Sequence, residues 1–113
     1  MRHRKKKHLR GDKDRRRKEL RALVTALFLY EKIETTAARA RILKAAAERM
    51  VTRGKKLDLP ARRQLLRNLP ANAVKKIFEV YVPRFQTRPG GYCRITHVGK
   101  FRDGTAKVLV EFV

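Results

Sequence analysis

The sequence predicts an α+β fold. We expect a compact helical domain packed on a small sheet of two to three strands, with a C-terminal antiparallel hairpin and a basic N-terminal arm that is disordered when free. Three observations predict it. Apolar residues recur at helical spacing through most of the chain as far as Tyr81. After Pro83 the pattern changes to β-branched and aromatic residues on alternate positions. Between the initiator and Leu9, every side chain is cationic or histidine, and no core can use such a segment.

Residues 1–11 form the expected arm, and residues 12–113 a single α/β domain. Asp12 and Asp14 are candidate N-caps for a first helix reaching about Tyr30, since a carboxylate suits the positive end of a helix. Leu20, Leu23, Val24, Leu27 and Phe28 make one buried stripe along it. The short segment around Ile33 reads as a turn or a brief strand, a possible third strand of the sheet. Thr35 or Thr36 can cap a second helix from Ala37 to about Arg53, with Ala40, Leu43, Ala47, Met50 and Val51 on one face and Gly54 as its stop. Asp58-Leu59-Pro60 opens a third helix. Pro70 opens a fourth, with Val74, Ile77, Phe78 and Tyr81 facing inward and Pro83 ending it. Arg84 to Tyr92 is an irregular loop. Tyr92–Val98 and Lys107–Val113 are strands joined across Asp103-Gly104, which favours a reversal.

A chain of 113 residues suits one modest core. Its 31 Lys and Arg against 10 acids give a formal charge of +21. That excess is self-repelling until a polyanion neutralises it. RNA, DNA and an anionic membrane surface are the polyanions to weigh. The membrane is the weakest, because no run of about 20 apolar residues is present. The cationic start is not followed by the apolar block of a secretory signal. The absence of serine argues against a transit peptide. A single cysteine, Cys93, excludes an internal disulfide and fits a reducing compartment. It also removes Cys-cluster zinc sites.

Three groups of residues point to nucleic acid. The first is Arg2, His3, Arg4, Lys5, Lys6, Lys7, His8 and Arg10, continued by Lys13, Arg15, Arg16 and Arg17 into the first helix. Arginine bridges phosphates bidentately and stacks on bases, while lysine is a mobile point charge. The second is Arg84, Arg88 and Arg94 with Gly90, Gly91 and Tyr92. Cations interleaved with an aromatic hold phosphates and stack on unpaired bases, and glycines let the backbone approach a ligand. Phe85, in the same loop, reads as a core residue. The third is Thr35, Thr36 and Arg39 at a helix start, where a phosphate or an ordinary cap fits equally well.

Catalysis finds no support. His3, His8 and His97 have no carboxylate spaced to orient them, and Cys93 and His97 lie too far apart along a strand to pair. No phosphate-binding glycine motif is present, and the sequence calls for no cofactor, metal or small-molecule substrate. Two rivals remain in other classes. A DNA-binding helix-turn-helix around Pro70 would need a compact Gly-type turn. A small nuclease would need clustered carboxylates for metal ions, and the ten acids are scattered.

The chain resembles the family of bacterial large-subunit ribosomal protein seventeen. The resemblance is carried by Met1-Arg2-His3-Arg4-Lys5, by Lys32-Ile33-Glu34-Thr35-Thr36 with Ala40-Arg41, by Pro83-Arg84-Phe85, Arg88 and Gly90-Gly91-Tyr92-Cys93-Arg94-Ile95, and by Val110-Glu111-Phe112-Val113. It implies a structural role in the large ribosomal subunit, with large-subunit ribosomal RNA as partner, near the nascent-chain exit region and without catalysis. It also implies helices around a short sheet and a neighbouring large-subunit protein, numbered thirty-two. The contact residues it implies are those of the opening and of the Arg84–Arg94 loop.

Overall fold

The computed structural model describes residues 12–113. The arm expected at residues 1–11 lies outside them. Helix α1 (Lys13–Tyr30) starts at Asp12, whose carboxylate accepts from the Arg15 N–H at 2.8 Å. Asp14 sits in the first turn and complements the helix dipole. Val24, Leu27 and Phe28 are buried from the expected stripe, and Leu20 and Leu23 flank them half-covered. Glu31 closes the helix in a left-handed conformation, φ 67°, its N–H donating to the Leu27 carbonyl at 2.8 Å.

The Ile33 segment is a strand, β1 (Lys32–Thr36). It leads into α2 (Ala37–Gly54), which buries Ala40, Leu43, Ala46, Ala47 and Val51. Helix α3 (Leu59–Asn68) begins at Asp58, which caps the Ala61 N–H at 2.8 Å, with Pro60 in the first turn. The fourth helical segment opens after Pro70. It comprises α4 (Ala71–Lys76), a π-helical turn (Ile77–Tyr81) and a last α-helical turn, α5 (Val82–Arg84).

Both expected helix ends fall within one residue of their places, and packing adds its own reasons. Gly54 is buried as the last residue of α2 and does not take up a left-handed angle; Leu57, three residues on, does, at φ 55°. A Cβ at 54 would stand 3.1 Å from Ile77 Cγ2 and 3.2 Å from Val82 Cγ2, so a side chain there would push these methyls back by a few tenths of an ångström. The helix at Pro83 ends one residue on, at Arg84. Proline lacks an N–H and crowds the carbonyl four residues back. The π turn just before it has already shifted the ladder, with the Val82 N–H reaching the Ile77 carbonyl.

Strands β2 (Cys93–Lys100) and β3 (Ala106–Phe112) are the expected hairpin, extended by two residues at the outer end of β2. The sheet order is β1-β3-β2, antiparallel at both junctions. Central β3 supplies Val108, Val110 and Phe112 to the core. A register shift between His97 and Gly99 marks a bulge. Helices and sheet share one apolar cluster. The Phe112 ring lies 4.3 Å from Tyr81 and 5.3 Å from Phe28, centroid to centroid. The buried Tyr81 hydroxyl donates to the Phe28 carbonyl at 2.7 Å, and burial pushes the phenol well above its usual range.

Candidate nucleic-acid interface

The strand register fixes where the predicted residues go. Strand β1 runs back alongside α1, β3 is antiparallel to it, and β2 returns beside β3. Thr36, Lys107 and Lys100 therefore lie at one end of the sheet, while Lys32, Glu111 and Arg94 lie side by side near the other. Arg39 Nε meets the Glu19 carboxylate at 3.0 Å, which ties the first of these ends to the N-terminal half of α1. The predicted groups thus occupy two ends of the molecule. Arg15 and Glu31 are separated by about 24 Å along α1 at 1.5 Å per residue.

At the first end, Lys13, Arg15, Arg16 and Arg17 project from the opening turns of α1. All are exposed except Arg16, which is half-buried and whose Nε donates to the Asp12 carbonyl at 3.3 Å. Arg17 and Arg21 share a cleft of about 220 Å³ with Arg67 and Asn68 of α3, floored by Leu20, Val24 and Met50. Thr36 is the α2 cap, its hydroxyl accepting from the Arg39 N–H at 3.4 Å. Thr35 is corrected: it neither caps nor faces solvent, because strand alternation turns it inward opposite Val108 at 6% exposure. Arg2, His3, Arg4, Lys5, Lys6, Lys7, His8 and Arg10 lie outside the described residues.

At the second end, carboxylates hold two of the predicted arginines. Arg84 meets Glu31 at 3.1 Å, and Arg94 meets its cross-strand neighbour Glu111 at 2.8 Å. Both guanidinium groups stay partly open to solvent and are aimed by these contacts. Arg88 Nε donates to the Gly90 carbonyl at 3.2 Å. Gly91 is exposed at φ 65°, and a Cβ there would meet nothing within 4 Å, so its backbone is open to an approaching group. Tyr92 is corrected as a stacking platform. Its ring is 1% exposed and packs 5.0 Å from Phe85, which is a core residue as expected.

Sequence reasoning passed over the lysine that organises this loop. Lys55 Nζ donates to the Arg88 carbonyl at 2.6 Å and to the Tyr92 hydroxyl at 3.0 Å, and lies 5.1 Å from the Tyr92 ring centroid. The first of its effects on Tyr92 is this hydrogen bond, which lowers the phenol from its usual value. Lys76 plays a similar internal part, donating to the Leu29 carbonyl at the end of α1 at 2.7 Å. Neither lysine is distinguishable from its many neighbours in the chain by sequence alone. A third omission had a visible signal: Lys100-Phe101-Arg102 sets an aromatic between two cations just before the Asp103-Gly104 reversal.

The arrangement offers cations and open backbone but no acid–base or metal chemistry. Among the described residues, no group of His, Cys, Asp or Glu could hold a metal ion. None of the described helices is long and apolar enough to cross a membrane. Cys93 is buried, and burial pushes its thiol up to about 12, which leaves it a poor nucleophile.

Comparison with known proteins points the same way. The family model described as Ribosomal protein L17 matches residues 19–113. A large ribosomal subunit protein bL17 from Thermodesulfovibrio yellowstonii is 44% identical over 116 residues, covering 100% of this chain and 87% of the relative. The bL17 of Caldanaerobacter subterraneus subsp. tengcongensis is 47% identical over 102 residues, 88% of this chain and 91% of the relative. That of Hydrogenobaculum sp. is 41% identical over 117 residues, 100% and 99% respectively.

Proposed function

Because the chain belongs to the ribosomal protein L17 family, we propose that it is a structural component of the bacterial large ribosomal subunit, cytoplasmic with the ribosome, that binds large-subunit ribosomal RNA. The family is a structural one and not a family of enzymes. The RNA is bound through the basic opening residues and through the Arg84–Arg94 loop, near the nascent-chain exit region, beside other large-subunit proteins including protein thirty-two.

The observation that carries this reading is the division of the cations between two ends of one rigid helix. A spacing of about 24 Å is more than twice the screening length of about 8–10 Å at physiological salt. Each end must therefore meet its own stretch of phosphates. A small protein that braces two RNA segments needs this shape. At the start of α1, Lys13, Arg15 and Arg17 concentrate exposed charge. At the loop end, Glu31, Glu111 and Lys55 fix the cations and the backbone in place. The first end supplies salt-dependent affinity, and the second reads the shape of the RNA.

The test is sucrose-gradient sedimentation of tagged protein from cells after a high-salt wash, quantified per ribosome. A single copy per large subunit surviving the wash is expected. A salt-labile, substoichiometric signal, or sedimentation with the nucleoid, would overturn the reading.

A further inference from the structure

The outer part of the β2–β3 hairpin contributes nothing to the core. From Thr96 to Thr105 every residue is exposed. Ordering backbone costs conformational entropy at each position, and this stretch adds no fully buried side chain to offset it. The turn is nevertheless closed firmly: the Phe101 N–H donates to the Thr105 carbonyl at 2.9 Å, the Gly104 N–H donates to the Phe101 carbonyl at 3.0 Å, and Gly104 takes φ 88°. An ordered, unburied hairpin end is explained by what it presents.

It presents a cleft of about 530 Å³ against the start of α2, lined by Thr36, Arg39, Phe101, Arg102, Asp103 and Thr105. The Phe101 ring is 36% exposed, with the Lys107 ammonium 5.1 Å from its centroid. Arg39 is held in place by Glu19. Of the carboxylates nearby, Glu34 faces Lys107 at 3.7 Å and Glu19 faces Arg39, while Asp103, which lines the cleft, accepts from the Thr105 N–H at 2.9 Å and keeps its charge. A partly exposed aromatic ring thus sits next to Lys100 and Arg102, two cations without an ion pair among the described residues.

We propose that this cleft binds an unpaired nucleotide of RNA, with its base against the Phe101 ring and its flanking phosphates on Arg39, Lys100 and Arg102. The proposal rests on the reading of the protein as an RNA-binding one and adds a site to it. A duplex keeps its bases stacked inside and offers no face to a ring, so the ligand is single-stranded. An acidic peptide would satisfy the cations but leave the aromatic without a partner. The site adjoins the basic start of α1 through the Arg39–Glu19 pair, so a strand entering it continues along the cations of that helix.

The chain has no tryptophan, so Phe101→Trp in the full-length protein places a single fluorescent reporter in the cleft. Oligouridine of twelve nucleotides, an RNA duplex of equal length and a poly-glutamate peptide are the probes. The expected result is that both RNAs bind, as read by anisotropy of labelled RNA, but only the single strand quenches the tryptophan. Phe101→Ala should weaken single-strand binding about 5-fold or more, since one stacked base is worth at least about 1 kcal/mol. Binding of the single strand without quenching would overturn the proposal and leave RNA binding by the protein intact. Equal quenching by the duplex, or by poly-glutamate, would also overturn it, the latter in favour of an acidic protein partner. Failure to bind any RNA, large-subunit ribosomal RNA included, would overturn both readings. Photocrosslinking of the unaltered chain to 4-thiouridine RNA gives an independent measure: a crosslink in the peptide containing Phe101 supports the site, and crosslinks confined to other peptides refute it.

Discussion

Replacing Lys55 with methionine should separate loop order from bulk charge. Methionine keeps an unbranched apolar stem of similar length and deletes only the ammonium. Two contacts are lost, to the Arg88 carbonyl at 2.6 Å and to the Tyr92 hydroxyl at 3.0 Å. A hydrogen bond from a charged donor contributes about 1.5–3 kcal/mol. Water can replace the ammonium at the exposed Arg88 carbonyl, so the bond to the part-buried Tyr92 hydroxyl carries most of the effect. The expected loss is therefore about 1–2 kcal/mol, or roughly 4–10 °C in Tm for a domain of this size. Urea unfolding monitored by circular dichroism measures the global term. Hydrogen–deuterium exchange measures the local one, and protection between Arg88 and Tyr92 should fall further than protection in α1. Removing the hydrogen bond that lowers the Tyr92 phenol should also raise its titration midpoint in ultraviolet absorbance. If the Arg84–Arg94 loop reads RNA shape, affinity for large-subunit RNA should fall more than affinity for random RNA. A variant with unchanged stability and unchanged exchange in the loop would refute the assignment of Lys55 as its clamp. Equal losses on both RNAs would refute shape reading by the loop.

Four further outcomes follow from particular contacts. Gly54→Val should destabilise by about 2 kcal/mol in urea unfolding, because its branches must displace Ile77 and Val82 from a packed contact; a neutral result would mean that the helices part freely there. Asp58→Ala should cost about 1 kcal/mol and Thr36→Ala about half as much, since their cap bonds measure 2.8 Å and 3.4 Å; the reverse order would show that cap geometry is not decisive here. Cys93 is raised from its usual 9.0 to about 12 in the folded chain, so the protonated thiol favours folding. That stability is complete below pH 9 and is lost as pH rises toward 12, with Tyr81 adding a further loss above its usual 10.0. Thermal unfolding should show a plateau below pH 9 and a decline above it, the first part of which Cys93→Ala abolishes. Deleting residues 1–10 removes six Lys and Arg side chains, and should flatten the log–log salt slope of RNA binding by about 4–5; an unchanged slope would mean that the opening residues do not touch phosphate.

The local elements were legible because each depends on neighbours in the chain. Asp12 and Asp58 marked helix starts through their own carboxylates, and the stripe from Leu20 to Phe28 marked the buried side of α1. The Ile33 segment gained its place as a strand only because β3 offered an open edge beside it. The helix ends at Gly54 and Pro83 were legible as punctuation, but their setting was not: α2 approaches the Ile77–Val82 turn closely at Gly54, and the π turn rearranged the hydrogen bonds ahead of the proline.

The sequence by itself determined the charge, the helical and strand periods, the single thiol and the kinship of the chain, since all of these are sums or local patterns. Which cations are available was decided by tertiary structure alone. Lys55 and Lys76, both half-buried, were turned onto carbonyl groups, and Tyr92 and Thr35 were turned into the core. Arg84 and Arg94 met acids distant in sequence, Glu31 and Glu111. The register of β3 set Phe101 beside the start of α2. Net charge selects a polyanion as partner, but only packing, which assigns each side chain to carbonyl, carboxylate or solvent, determines where that partner can be held.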